Sequence, residues 1–93
     1  MTKADLINDI SIATGFDKKT IGTIVEHMMA DIKRNVAEGE FVYLRGFGSF
    51  IRKKRAAKVA RNITKSTSVR VPAHDVPYFK PSNEFAQEVR DNK

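Results

Sequence analysis

The chain has 93 residues, no cysteine, no tryptophan and a formal net charge of +6 at neutral pH. That length allows one domain with a small core, and the missing cysteines exclude disulfides and cysteine-held zinc as reinforcement, so association with a second chain is the remaining staple. His27 and His74 stand far apart with no ligand-type spacing around either, so neither a metal centre nor another cofactor is expected.

No run approaches the ~18 apolar residues of a membrane span, and Met1-Thr2-Lys3-Ala4-Asp5 opens an amphipathic pattern instead of a signal peptide. A soluble, intracellular protein with no membrane partner is expected. Thr2 is a good N-cap with Asp5 three positions on, and Leu6, Ile7, Ile10 and Ala13 recur at helical spacing as far as Gly15. Asp17 caps a second, longer helix. Its apolar stripe of Ile21, Ile24, Val25, Met28, Met29, Ile32 and Val36 ends at Gly39, and the two methionines read as core filling, with His27 on the polar flank.

From Phe41 the period falls to two. Phe41, Tyr43 and Arg45 point one way and Val42 and Leu44 the other, before a Gly46-Phe47-Gly48 turn. Ser49 to Ala60 contains no Gly, Pro, Asp or Asn, which predicts one unusually long strand. Asn62 to Ser68 is rich in turn formers, and Ser68-Val69-Arg70-Val71 reads as the returning strand until Pro72 and Pro77 interrupt it. Ser82 starts a last short helix with Glu84 in its first turn and Phe85, Ala86 and Val89 on one face. The expected order is helix, helix, three strands, helix, in a single α+β domain.

The charge is concentrated. Residues 1–44 and 71–93 are each slightly acidic, whereas Arg45, Arg52, Lys53, Lys54, Arg55, Lys58, Arg61, Lys65 and Arg70 lie in 26 residues without one acid. A solvated face would interleave acids to relieve self-repulsion, so this segment calls for an external polyanion, with phosphate the obvious candidate. Beyond Phe50 and Ile51 the strand carries bases on both sides, and a strand polar on both faces cannot lie on a core. The two-stranded ribbon it forms is expected to leave the body as an arm and to become ordered on its ligand. At ~3.3 Å per residue, Arg52 to Arg61 reach roughly 33 Å, more than the ~12 Å width of a major groove. The alanines between the bases permit close approach to a sugar-phosphate surface. Ile63, apolar in the polar run Arg61-Asn62-Ile63-Thr64-Lys65, reads either as ordinary loop sequence or as a wedge between base pairs that kinks the duplex from the minor groove.

Gly46-Phe47-Gly48-Ser49-Phe50, Arg55-Ala56-Ala57, Arg61-Asn62 and Pro77-Tyr78-Phe79-Lys80-Pro81 together resemble the bacterial histone-like HU and integration host factor family, HU more than integration host factor, over essentially the whole chain. The resemblance implies an intertwined dimer with two β-ribbon arms: residues 1–51 and 72–93 as the dimerisation body and 52–71 as the arm. It implies that Phe47, Phe50 and Phe79 pack the dimer core, and that Arg52, Lys53, Arg55, Lys58, Arg61, Asn62, Ile63, Lys65 and Arg70 meet DNA along the arm. Lys3 and Lys80 would hold flanking phosphates. Family arms usually carry Gly-Arg-Asn-Pro and a Thr-Gly turn; here Ala60-Arg61-Asn62-Ile63 puts isoleucine in the place of the intercalating proline, with comparable bulk and no fixed φ.

The function so implied is that of a nucleoid-associated protein of the bacterial cytoplasm that bends double-stranded DNA with little sequence preference, as a homodimer or paired with a paralogue. A site-preferring DNA-bending relative of integration host factor is the alternative, since indirect readout needs no base-reading side chain. RNA binding is disfavoured by the lack of an aromatic stacking platform among the bases. A basic protein-interaction or anionic-membrane module is a different class, disfavoured by the lack of a bulky apolar face opposite the charges. No enzyme and no small-molecule substrate is expected: no nucleophile has a base near it, and Gly46-Phe47-Gly48 lacks the third glycine and the helix of a dinucleotide fingerprint.

Overall fold

In the computed structural model, residues 1–62 and 67–92 are described. The chain forms α1 (Lys3–Thr14), α2 (Lys18–Ala37), β1 (Val42–Leu44), β2 (Gly48–Arg55), β3 (Lys58–Asn62), β4 (Thr67–Val71), β5 (His74–Pro81) and α3 (Asn83–Asp91). Two compact units are distinguished, Met1–Asn35 and Val36–Lys93.

The first unit holds α1 and most of α2. Thr2 and Asp5 close a reciprocal capping box at the start of α1, and Gly15 ends the helix in the left-handed region at φ 81°, its N–H bonded to Ser11 O. Asp17 caps α2 by accepting from the Thr20 backbone and hydroxyl. Those bonds, the hydroxyl first, hold the Asp17 carboxyl below its ordinary pKa despite a small opposing desolvation. The stabilisation is therefore in place at neutral pH and is lost as pH falls through the lowered pKa. A Cβ added at Gly22 would lie 3.7 Å from the Ile7 side chain, so α1 and α2 meet at ordinary van der Waals distance.

The α2 stripe is only partly covered. Ile21 and Val36 are the only buried apolar side chains among the described residues, while Ile24 and Met28, expected in a core, are 62% and 50% exposed. Part of this stripe, at Ile24 and Met28, is thus open to solvent.

The second unit is built on an antiparallel sheet in the order β1-β2-β5. β1 pairs with β2 at Val42↔Phe50, Tyr43↔Ser49 and Leu44↔Gly48. The Phe47 N–H closes the intervening turn on Leu44 O, with Gly46 at φ 77° supplying the positive φ that L side chains resist. β2 and β5 then pair from Gly48↔Pro81 to Arg55↔His74, so beyond Phe50 the sheet narrows to a two-stranded ribbon. A second ladder, β3 with β4, runs from Lys58↔Val71 to Asn62↔Thr67.

Two expectations need correction. The predicted long strand is broken after Arg55 and resumes at Lys58, opposite a matching break at Pro72 and Ala73. Pro72 offers no N–H to a ladder, and the partner strand loses its pairing at the same level. Conversely, Pro77 does not interrupt anything: it sits within β5, paired in register with Arg52. β5 is the edge of its sheet, where a missing N–H is tolerated.

α3 starts at Ser82, whose hydroxyl accepts from the Phe85 N–H while its own N–H donates to Phe47 O. That bond seats the helix on the β1–β2 turn. Phe47 and Phe85 stack at 5.6 Å between centroids and 16° between planes, and Phe79 lies 5.1 Å from Phe47 and 4.9 Å from Phe50. This four-ring cluster is the apolar centre of the second unit, yet Phe47 remains 45% exposed.

Candidate nucleic-acid interface

Strand alternation and the β2–β5 register sort the basic side chains onto two faces. Phe50, Arg52 and Lys54 share one face with Phe79, Pro77 and Asp75; Ile51, Lys53 and Arg55 share the other with Lys80, Tyr78, Val76 and His74. The first face continues the aromatic cluster and carries Asp75, which stands in register with Lys54 and forms an ion pair with Arg52 at 3.5 Å. The second face has no acid. Lys53, Arg55, His74 and Lys80 are all exposed there, and the Lys53 ammonium lies 4.8 Å from the Tyr78 ring centroid, an arrangement that steadies the lysine stem without neutralising its charge. Tyr43, opposite Ser49 on β1, extends this face beside the ladder.

The second ladder continues the charge. Lys58 stands opposite Val71, Arg70 opposite Val59 and Arg61 opposite Ser68, with Asn62 paired to Thr67. Lys58 and Arg70 are exposed. Ile63 and Lys65 lie outside the described residues. Among the described residues of this face the counter-charges are absent, so its potential is positive along the length of the β2–β5 ladder, and an electrostatic partner must be a polyanion.

Not all the sequence-predicted bases are equally free. Lys53, Arg55 and Lys80 are brought together on one open face. Arg52 lies on the opposite side, its guanidinium donating to Ala37 O at 2.6 Å and pairing with Asp75. Lys3 is ion-paired with Glu26 in the helical unit. Two features escaped the sequence reading. Phe85 joins Phe47, Phe50 and Phe79, a contact signalled only by its place on the apolar face of α3; Asp75 is the partner of Arg52, a pairing that needs the register to be seen.

No group of three His, Cys, Asp or Glu side chains able to hold a metal occurs among the described residues, and no helix there is long and apolar enough to cross a membrane.

The bacterial DNA-binding protein family matches residues 1–90. The DNA-binding protein HU of Thermus thermophilus is 33% identical over 90 residues, covering 97% of this chain and 93% of its own. Integration host factor subunit beta of Marinobacter nauticus is 36% identical over 93 residues, covering 99% and 95%. Among solved structures, Anabaena HU in a cocrystal with DNA superposes with a TM-score of 0.90 at 29% identity, over 96% of this chain and 97% of that one. With two N-terminal helices, a β1-β2-β5 sheet drawn out into a ribbon, a short C-terminal helix and matches that run end to end, the chain belongs to the bacterial DNA-binding protein family of HU and integration host factor.

Proposed function

We propose that this protein is an architectural, nucleoid-associated protein of the bacterial cytoplasm, which binds double-stranded DNA with little sequence specificity and bends it. The carrying observation is the acid-free face of Lys53, Arg55, His74 and Lys80 on a two-stranded ribbon, with two further exposed bases, Lys58 and Arg70, on opposite faces of the second ladder. It fits a partner recognised through its phosphates, and no catalysis is assigned to it.

The working unit is a dimer of this chain, intertwined through residues 1–51 and 72–93, with 52–71 as the arm, whose outgoing strand pairs at its root with His74–Pro77. The uncovered Ile24 and Met28 on α2 and the half-open Phe47, Phe50, Phe79 and Phe85 cluster supply apolar surface for a second copy. Along the arm, Lys53, Arg55, Lys58, Arg61, Asn62, Lys65 and Arg70 meet the minor-groove backbone, and Lys80, with Lys3 once it leaves Glu26, holds the flanking duplex.

The test is the salt dependence of duplex affinity. With about eight arm bases per dimer on phosphates, log affinity falls against log salt with a slope of about −7, mostly from counterion release. A slope near zero would remove the electrostatic mechanism. Ile63 at the arm tip is assigned as the wedge. Energy transfer across an end-labelled duplex should report a clear loss of bending for Ile63→Ala with affinity kept within about fivefold, since unstacking is exchanged for contact. An unchanged bend would withdraw the wedge and leave the phosphate contacts standing.

The 36% identity to an integration host factor subunit supports a second reading, a binder that prefers particular deformable sites. Competition between a bound fragment and bulk genomic DNA separates the two: a preference below about tenfold supports the general binder, and one of ~10³ or more the site-specific one.

A further inference from the structure

We propose that Arg52 is a strut that fixes the root of the ribbon, a positioning residue and not a phosphate contact; this rests on the DNA-bending reading above. Its guanidinium joins three chain segments of one unit. One nitrogen donates to Ala37 O at the C-terminal end of α2, at 2.6 Å, and another faces the Asp75 carboxylate of β5 at 3.5 Å. Arg52 itself belongs to β2, just past the point where β1 ceases to pair with it.

Each element of the arrangement has a physical use. The last carbonyls of a helix lack intrahelical partners and carry partial negative charge, which a guanidinium satisfies with a charge-assisted bond. Asp75 lies on the same ribbon face as Arg52, two pairs further along the ladder, directly opposite Lys54. It is the acid that sets this face apart from the Lys53 and Arg55 face. Arginine suits the position because its planar fork reaches two acceptors in different directions, whereas a lysine ammonium is a point charge. The ribbon beyond Phe50 has one neighbour strand and is close to marginal by itself, so a tie at its base governs the direction in which it leaves the sheet. An exposed ion pair alone contributes little; Arg52 and Asp75 are 40% and 45% exposed, and it is the added bond to the helix end that makes the pair a brace.

The strut and the phosphate contact predict opposite signs for one substitution. Removing an acid beside a DNA-binding surface ordinarily tightens binding by relieving repulsion. If Arg52 is a strut, Asp75→Asn instead lowers energy transfer across the bent duplex and weakens binding roughly fivefold, as does Arg52→Gln, and the double variant is no worse than either single one. The slope against salt stays at the wild-type value in all three. Arg52→Lys keeps the charge and fails to rescue. If Arg52 binds phosphate, Arg52→Gln makes the slope shallower by about 1.8 for two arms, Arg52→Lys rescues, and Asp75→Asn is neutral or tighter; that result overturns the strut.

Hydrogen exchange without DNA keeps the two readings apart. The strut predicts faster exchange at Arg52–Arg55 and His74–Val76 in both Arg52→Gln and Asp75→Asn, to the same extent. Unchanged exchange in either variant overturns the strut whatever the DNA result, and a wild-type salt slope near zero with coupled exchange overturns only the DNA reading.

Discussion

Gly48→Ala is expected to be the most damaging single substitution in the second unit, lowering stability by about 3 kcal/mol. Gly48 is buried at the start of β2, in register with Leu44 on one side and Pro81 on the other. A Cβ there would lie 2.6 Å from Lys80 O and 2.6 Å from the Phe79 ring. Neither obstacle yields cheaply. Lys80 O is backbone in the paired edge strand, and Phe79 is held between Phe47, Phe50 and Phe85. Relief of the clash must therefore separate β2 from β5 or break the ring cluster. In a chain of this size a loss of about 3 kcal/mol corresponds to a fall of roughly 12–24 °C in Tm.

Gly39→Ala is the matched control. Gly39 also has positive φ, at 92°, but a Cβ there meets nothing within 4 Å. Its cost is backbone strain alone, about 1 kcal/mol. Thermal unfolding of the two variants at equal protein concentration decides the matter, because dimer stability depends on concentration. Equal shifts for Gly48→Ala and Gly39→Ala would mean that the close approach of β2 and β5 at Phe79 is not what requires glycine.

Local signals were the readable ones. Thr2, Asp5 and Gly15 bound α1 because capping involves residues within a few positions of one another, and Ser82 did the same for α3. The basic segment was equally plain, since composition needs no structure. The alternation at Val42, Tyr43 and Leu44 placed β1 correctly, with Tyr43 outward. What the one-dimensional pattern concealed depends on pairing. Pro77 looks like a strand breaker until β5 is seen to be an edge, and Ala56-Ala57 looks like strand until Pro72 is found across from it.

The basic residues show the same limit. Arg52, Lys53, Lys54 and Arg55 read as one charged run, yet a period of two already divides them. Only the register with β5 reveals that Asp75 belongs to Arg52 and Lys54, and that Lys53 and Arg55 have no acid beside them. The stripe on α2 was legible as apolar but not as half-uncovered, because helical period marks which residues share a face and not which of them a neighbouring element covers.

That division leads to the largest expected effect on DNA binding. Lys53→Gln combined with Arg55→Gln should halve the salt slope, from about −7 to about −3.5, because four phosphate contacts per dimer are lost at about 0.9 each. Counted from 1 M salt down to 0.15 M, the same loss weakens binding by about 10³. Lys54→Gln, one residue away in sequence and on the opposite face across from Asp75, should shift the slope by less than one unit. Neither change touches the aromatic cluster, so dimerisation and thermal unfolding should remain near the wild-type values. Affinity measured at four or more salt concentrations for the three proteins checks the claim. A Lys54→Gln slope that falls as far as half the double variant's change would mean that charge density alone, and not the acid-free face of Lys53 and Arg55, meets the duplex.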